Sequence, residues 1–193
     1  LFYTDEMPSL DSLIEQILRD SVNDRSGSYG GSIANRARLL LEVVEAVTKE
    51  IGAGRTGVRL SPMTTFTAPL DSDPQALYGY VVERLASFGL AYLHVIEGET
   101  GGTRTPEGKA FDYETLHRAF PGAWMLNNGY SRELAIDSIA AGKADLIAFG
   151  RPFISTPDLV RRLMDNLPLN ELQADKLYGG GAEGYTDYPS LSA

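Results

Sequence analysis

"ADLIAFGRPFISTPDL", residues 144–159, passes from a short apolar run ending in glycine straight into an arginine, a proline and a helix start. Residues 146–150 read as a buried strand, because a run of that length bounded by turn residues is what a strand covered on both faces requires. A guanidinium at the mouth of such a strand needs an anion to meet it. The same pattern recurs three times upstream, in "TGVRLSP" (56–62), "AYLHVIEG" (91–98) and "AWMLNNG" (123–129).

Helix signals alternate with these runs. Asp73-Pro74 opens a stretch in which Leu77, Tyr80, Val81, Arg84 and Leu85 fall near one stripe, and Gly89 stops it. Ser131 caps "RELAIDSIAAG", and Thr156-Pro157 opens "DLVRRLMDN". Ahead of the first run, Ile33, Ala37, Leu40, Leu41, Val44 and Val47 repeat at helical spacing. Strands alternating with amphipathic helices imply parallel pairing through right-handed crossovers. Connections are short before the strands and long after them, at 62–72 and 98–110, as in a (β/α) barrel whose function sits at the strands' carboxyl ends. A doubly wound open sheet satisfies the same periodicity.

A closed barrel needs eight strands. This chain offers four clear ones and a fifth candidate, "LFYT", at its start. An open half leaves unpaired strand edges and a wet apolar face, so the expectation is a partner, either a second copy in a homodimer or a complementary amino-terminal half barrel.

Composition narrows the function. The 193 residues are enough for one domain with a substantial core. We divide them into an atypical segment 1–12, a half barrel 13–167 and a tail 168–193. A net charge of -9 disfavours nucleic acid and anionic membranes as partners and leaves a small-molecule ligand held by local cations. With no cysteine there is no disulfide or thiolate metal site. No apolar run reaches the length of a membrane span and no signal peptide is visible, so the expected location is cytoplasmic. The chain opens on Leu1 rather than methionine, which suggests a trimmed start.

Five stretches, "LRDSVNDRSGSYGGSIANRARLLLEVVEAV", "TGVRLSP", "NNGYSRELA", "GKADLIAFGRPFISTPDLVRRL" and "YGGGAEGYTDYP", closely resemble, in order and in register, the carboxyl half of the Old Yellow Enzyme family. The resemblance runs over about residues 13–189. It implies an α/β fold, half of a TIM (β/α)8 barrel, and an FMN-dependent ene-reductase reduced by NADPH or NADH. It assigns Arg59 to the flavin pyrimidine edge, where a fixed cation stabilises charge developing on the ring. The alternative for Arg59 is a core carboxylate partner. Asn128, Gly129, Gly150 and Arg151 match the phosphate-binding loops, glycine allowing close backbone approach and arginine a two-pronged contact. Alone, "NNG" reads as an ordinary turn. Tyr178 matches a tail tyrosine near the substrate pocket, with plain packing as its alternative.

One departure is large. Where relatives carry a histidine, an asparagine and a tyrosine that hold the substrate carbonyl and donate a proton, this chain has Met7, Leu10 and Ser12. A thioether is a weak acceptor with no proton to give, and leucine has no polar atom. "LFYTDEMPSL" also lacks the strand usual in the family. His94 and His117 read as structural, and Arg36 and Arg38 as helix-surface ion-pair formers.

Overall fold

The computed structural model describes residues 5–8, 13–65, 68–99, 104, 110–177 and 181–191, with backbone alone at 5–8 and 13. Five strands, β1 (Asp5–Pro8), β2 (Thr56–Leu60), β3 (Tyr92–Ile96), β4 (Ala123–Asn127) and β5 (Leu146–Ile147), form one sheet. Every neighbouring pair is parallel and the order is sequential. A doubly wound sheet reverses its order at a switch point, whereas a barrel adds each strand beside the last. The open-sheet alternative is thereby removed, and the chain is half of a (β/α)8 barrel.

Helices lie between the strands, α1 (Leu13–Leu18), α2 (Ile33–Ile51), α3 (Pro74–Leu85), α4 (Tyr113–Ala119) and α5 (Arg132–Ala140), and α6 (Arg151–Ser155) and α7 (Leu159–Asp165) follow the last one. Their starts follow local chemistry. The side chains of Ser32, Asp73, Asp112 and Ser131 each accept from a backbone N–H three residues on, satisfying a donor that the first turn leaves open.

Strand alternation sorts the sheet's two faces. Val58, Leu60, Leu93, Val95, Trp124 and Leu126 point to the helices and pack with Ala37, Leu40 and Val44 of α2, Leu77, Val81 and Leu85 of α3, and Leu116 of α4. Gly57, Arg59, Tyr92, His94, Met125 and Asn127 take the other face. Near the amino ends on that face, the Tyr92 ring lies against Gly57 so closely that a Cβ there would stand 2.4 Å from it.

Four expectations need correction. "LFYT" lies outside the described residues, and the strand that does form is Asp5–Pro8, paired with residues 56–59. The segment said to lack a strand therefore has one, because β2 offers a free edge whose backbone groups need partners. The run 146–150 is ordered as a strand only over Leu146–Ile147, although the Ala148 N–H still reaches the Leu126 carbonyl at 2.9 Å. Leu146 is 43% exposed rather than buried, since β5 has a strand on one side only among the described residues. The last helix begins at Leu159, after Asp158 rather than at Thr156, and the short α6 precedes it.

Arg36 is the fourth. It is buried on α2, donating to the Leu18 carbonyl at 2.7 Å, the Gly31 carbonyl at 2.6 Å and Asp71 Oδ2 at 2.9 Å. Helical spacing placed it near the surface, but the chain from α1 folds over that position and supplies acceptors from distant sequence. Arg38 does stay on the surface, bonded to the Ser28 carbonyl and Asn35 Oδ1.

Candidate functional site

A parallel sheet sends all its carboxyl ends to one side, and the segments leaving β2, β3, β4 and β5 meet there. Arg59 is the fourth residue of β2, half-buried and on the face away from the helices. It is in register with His94 of β3, and His94 with Met125 of β4, so the arginine heads a row crossing that face. His94 is buried within this row.

The segment after β2 is fixed from below. Arg19, fully buried at the end of α1, donates to the carbonyls of Ser61 (2.9 Å), Thr64 (2.8 Å) and Ala68 (2.9 Å) and to Glu15 Oε1 at 3.0 Å. Tyr78 Oη of α3 donates to the same carboxylate oxygen. Burial first, and the Glu15 charge second, push the Tyr78 phenol well above its ordinary value. A buried charge persists only when paired and hydrogen-bonded, and this cluster meets that condition while pinning a loop that has no ladder of its own.

After β3, Glu97 accepts from Tyr130 Oη at 2.5 Å, and Arg104 stands 3.4 Å from the same oxygen with its guanidinium carbon 4.5 Å from the Tyr130 ring centre. Burial, reinforced by the bond to Glu97, raises the Tyr130 phenol above its usual range. Tyr113 Oη accepts the Gly98 N–H at 2.7 Å, and burial pushes this phenol up to about 12.

After β4, Asn128 and Gly129 both carry positive φ, 108° and 67°. The glycine adopts this without cost, whereas a non-glycine residue held there stores about 1–3 kcal/mol of strain. After β5, Gly150 and Arg151 begin α6, and both are exposed. No heavy atom lies within 4 Å of where a Cβ would stand at Gly129 or Gly150, so the backbone at both points faces open space. Exposed arginine beside open backbone, with a second arginine on the inner face, is a donor set suited to a phosphorylated, electron-accepting ring such as a flavin mononucleotide.

The structure thus brings Arg59, Asn128, Gly129, Gly150 and Arg151 to one end of the sheet. Tyr178, Leu10 and Ser12 lie outside the described residues, and Met7 is known there by its backbone alone, opposite Val58. His117 packs away from this end, stacked on Trp124 at 5.2 Å. Sequence reading missed Arg19, Glu97, Glu99 and Tyr130, whose partners are distant in the chain. For Arg19 the signal available was weak: a lone arginine one residue past the end of a six-residue helix. Among the described residues no cluster of ligating side chains suits a metal, and no helix is long and apolar enough to cross a membrane.

Comparison with known proteins identifies the family and supports the fold. A family model described as "NADH:flavin oxidoreductase / NADH oxidase family" matches residues 10–170. The chain is 40% identical over 182 residues to 12-oxophytodienoate reductase 2 of Arabidopsis thaliana, covering 94% of this chain and 49% of that protein. It is 42% identical over 193 residues to 12-oxophytodienoate reductase 7 of Oryza sativa subsp. japonica, covering 93% and 49%. Among solved structures, morphinone reductase in complex with tetrahydroNAD superposes with a TM-score of 0.88 at 38% identity, covering 98% of this chain and 51% of the other. The old yellow enzyme from Trypanosoma cruzi superposes at 0.90 with 32% identity, covering 98% and 50%. The chain therefore spans about half the length of the curated relatives it matches, and over that half it belongs to the NADH:flavin oxidoreductase family, the Old Yellow Enzymes.

Proposed function

We propose that this chain is the carboxyl half of an FMN-dependent oxidoreductase related to ene-reductases, and that it holds the phosphate and the pyrimidine edge of the flavin. The observation that carries this reading is the convergence of Arg59, Gly129, Gly150 and Arg151 on one end of the sheet, with the backbone open at both glycines. Bound FMN would supply the two-electron redox centre, taking hydride from NADPH or NADH and passing it to an activated alkene. This chain's residues would anchor and polarise. The backbone at 128–129 and 150, with the Arg151 guanidinium, would hold the phosphate, and Arg59 would place a fixed cation at the ring edge. Tyr178 is proposed near the substrate.

Catalysis by this chain alone is not part of the reading. Met7, Leu10 and Ser12 offer no pair of donors to hold a substrate carbonyl, so a binding half without turnover is the second form of the proposal. A partner belongs to it as well. Among the described residues β1 and β5 each have a strand on one side only. Phe153, Val160 and Met164, which follow β5, are 51%, 61% and 75% exposed. A complementary amino-terminal half barrel would cover them, and a second copy is the alternative.

Titrating the purified chain with FMN and following flavin fluorescence tests the reading. Quenching is expected, with affinity lowered about tenfold or more in Arg59→Ala and in Arg151→Ala. Unquenched flavin at all protein concentrations would overturn it. Enone-dependent NADPH oxidation by the chain alone would instead sink the non-catalytic form, and a monomer by light scattering in the absence of a partner would remove the second-copy alternative.

A further inference from the structure

Asn128 stands where β4 ends, yet its side-chain amide is turned to its own neighbours. Nδ2 donates to the Glu97 carbonyl at 2.6 Å and to the Glu99 carbonyl at 2.9 Å. A primary amide has two N–H donors. Both are engaged here, which leaves none for a phosphate oxygen.

The two carbonyls belong to the segment leaving β3, and that segment reaches on to the one before it. The Glu99 carboxylate accepts from Thr64 Oγ1 at 2.8 Å, from Thr65 Oγ1 at 2.7 Å, and from the Thr65 backbone N–H at 2.9 and 3.0 Å. Thr64 is in turn held through its carbonyl by Arg19. Side chains thus tie three consecutive strand-end segments, after β2, β3 and β4, beyond the last backbone bond from the Glu97 N–H to the Asn127 carbonyl. Asn128 accepts a φ of 108° in this position. A glycine would take up that backbone more easily, but it would carry no clamp; asparagine tolerates positive φ because its side chain bonds locally.

We propose that the side chain of Asn128 is a positioning group, whose amide clamps the segments after β3 and β4 and so sets the backbone at 128 and 129 for the flavin phosphate without the amide itself touching the phosphate. The proposal deepens the flavin reading above and rests on it for its ligand.

Asn128→Gly and Asn128→Asp in the full 193-residue chain test it, since both residues tolerate positive φ and neither carries the donor amide. Hydrogen exchange is measured at the Thr65 amide, which reports the far end of the clamp, and at the Leu93 and Val95 amides of β3 as controls. FMN affinity is measured by flavin fluorescence. In both variants Thr65 exchange is expected to accelerate about tenfold with the controls unchanged, and FMN binding to weaken in parallel. The added charge of aspartate weakens phosphate binding by itself, so the glycine variant decides, and it decides alone where the aspartate variant loses protection at Leu93 and Val95. Unchanged Thr65 exchange in Asn128→Gly overturns the clamp. Weakened FMN binding with unchanged exchange overturns it in favour of direct contact. A wild-type chain that binds no FMN sinks the flavin reading and the phosphate half of this proposal, while Thr65 exchange still supports or overturns the clamp.

Discussion

Replacing Arg19 by methionine isolates the buried cluster that holds the segment after β2. The side chain is inaccessible, and its guanidinium meets Glu15 Oε1 at 3.0 Å and the carbonyls of Ser61, Thr64, Ala68 and Pro69 at 2.8 to 3.2 Å. Methionine fills similar volume with no donor. It leaves behind a fully buried carboxylate, to which Tyr78 Oη still donates, and four carbonyls that have lost a shared donor. Removing one member of a buried ion pair costs about 3–5 kcal/mol. The carbonyls regain water as the segment loosens, so the expected loss is near the lower value, about 3 kcal/mol, against about 5–15 kcal/mol for a whole domain. Trp124, the only tryptophan, is fully buried and reports urea unfolding by its fluorescence. With a denaturant slope of about 2 kcal/mol/M, the midpoint should fall by about 1.5 M. Glu15→Leu combined with Arg19→Met should cost less than Arg19→Met alone, because the stranded charge is gone. A single-variant loss below about 1 kcal/mol, or a double variant in which the two losses add, would refute the account of Glu15 as a charge that Arg19 compensates.

Three further outcomes are expected. Gly57→Ala places a Cβ 2.4 Å from the Tyr92 ring and should destabilise by about 1–3 kcal/mol in the same urea assay, with partial recovery when Tyr92 is shortened to leucine. Ser131→Ala removes the hydroxyl that accepts the Leu134 N–H at 3.2 Å and should cost about 1 kcal/mol, read as a lower midpoint with an unchanged slope. Stability should fall as pH rises from about 10 to about 12. The folded chain holds the Tyr113 proton up to about 12 and the unfolded chain releases it near 10, so over that window the native state binds more protons and loses ground. Tyr113→Phe should flatten part of this decline in a pH series of urea midpoints, leaving the share due to Tyr78 and Tyr130, whose phenols are also raised.

The alternation of apolar runs with capped helices determined, from residues alone, that the sheet is parallel and α/β. Caps at Asp73 and Ser131 were legible because capping is a bond between residues three apart. Arg59, Asn128, Gly129, Gly150 and Arg151 were legible as candidates through the family resemblance, and Arg151 also because a charge directly after an apolar run needs a reason. Barrel against open sheet was not legible in periodicity, since both use the same local period; the family resemblance implied the barrel, and the sequential strand order bears it out. Tertiary structure alone also decided the roles of Arg19, Arg36 and Glu99, whose partners lie up to 50 residues away. It likewise turned the Asn128 amide from an apparent ligand group to two neighbouring carbonyls. Periodicity reports which face of its own element a residue occupies. Which chain later covers that face, and which acceptors it brings, is set by packing between elements that no local pattern encodes.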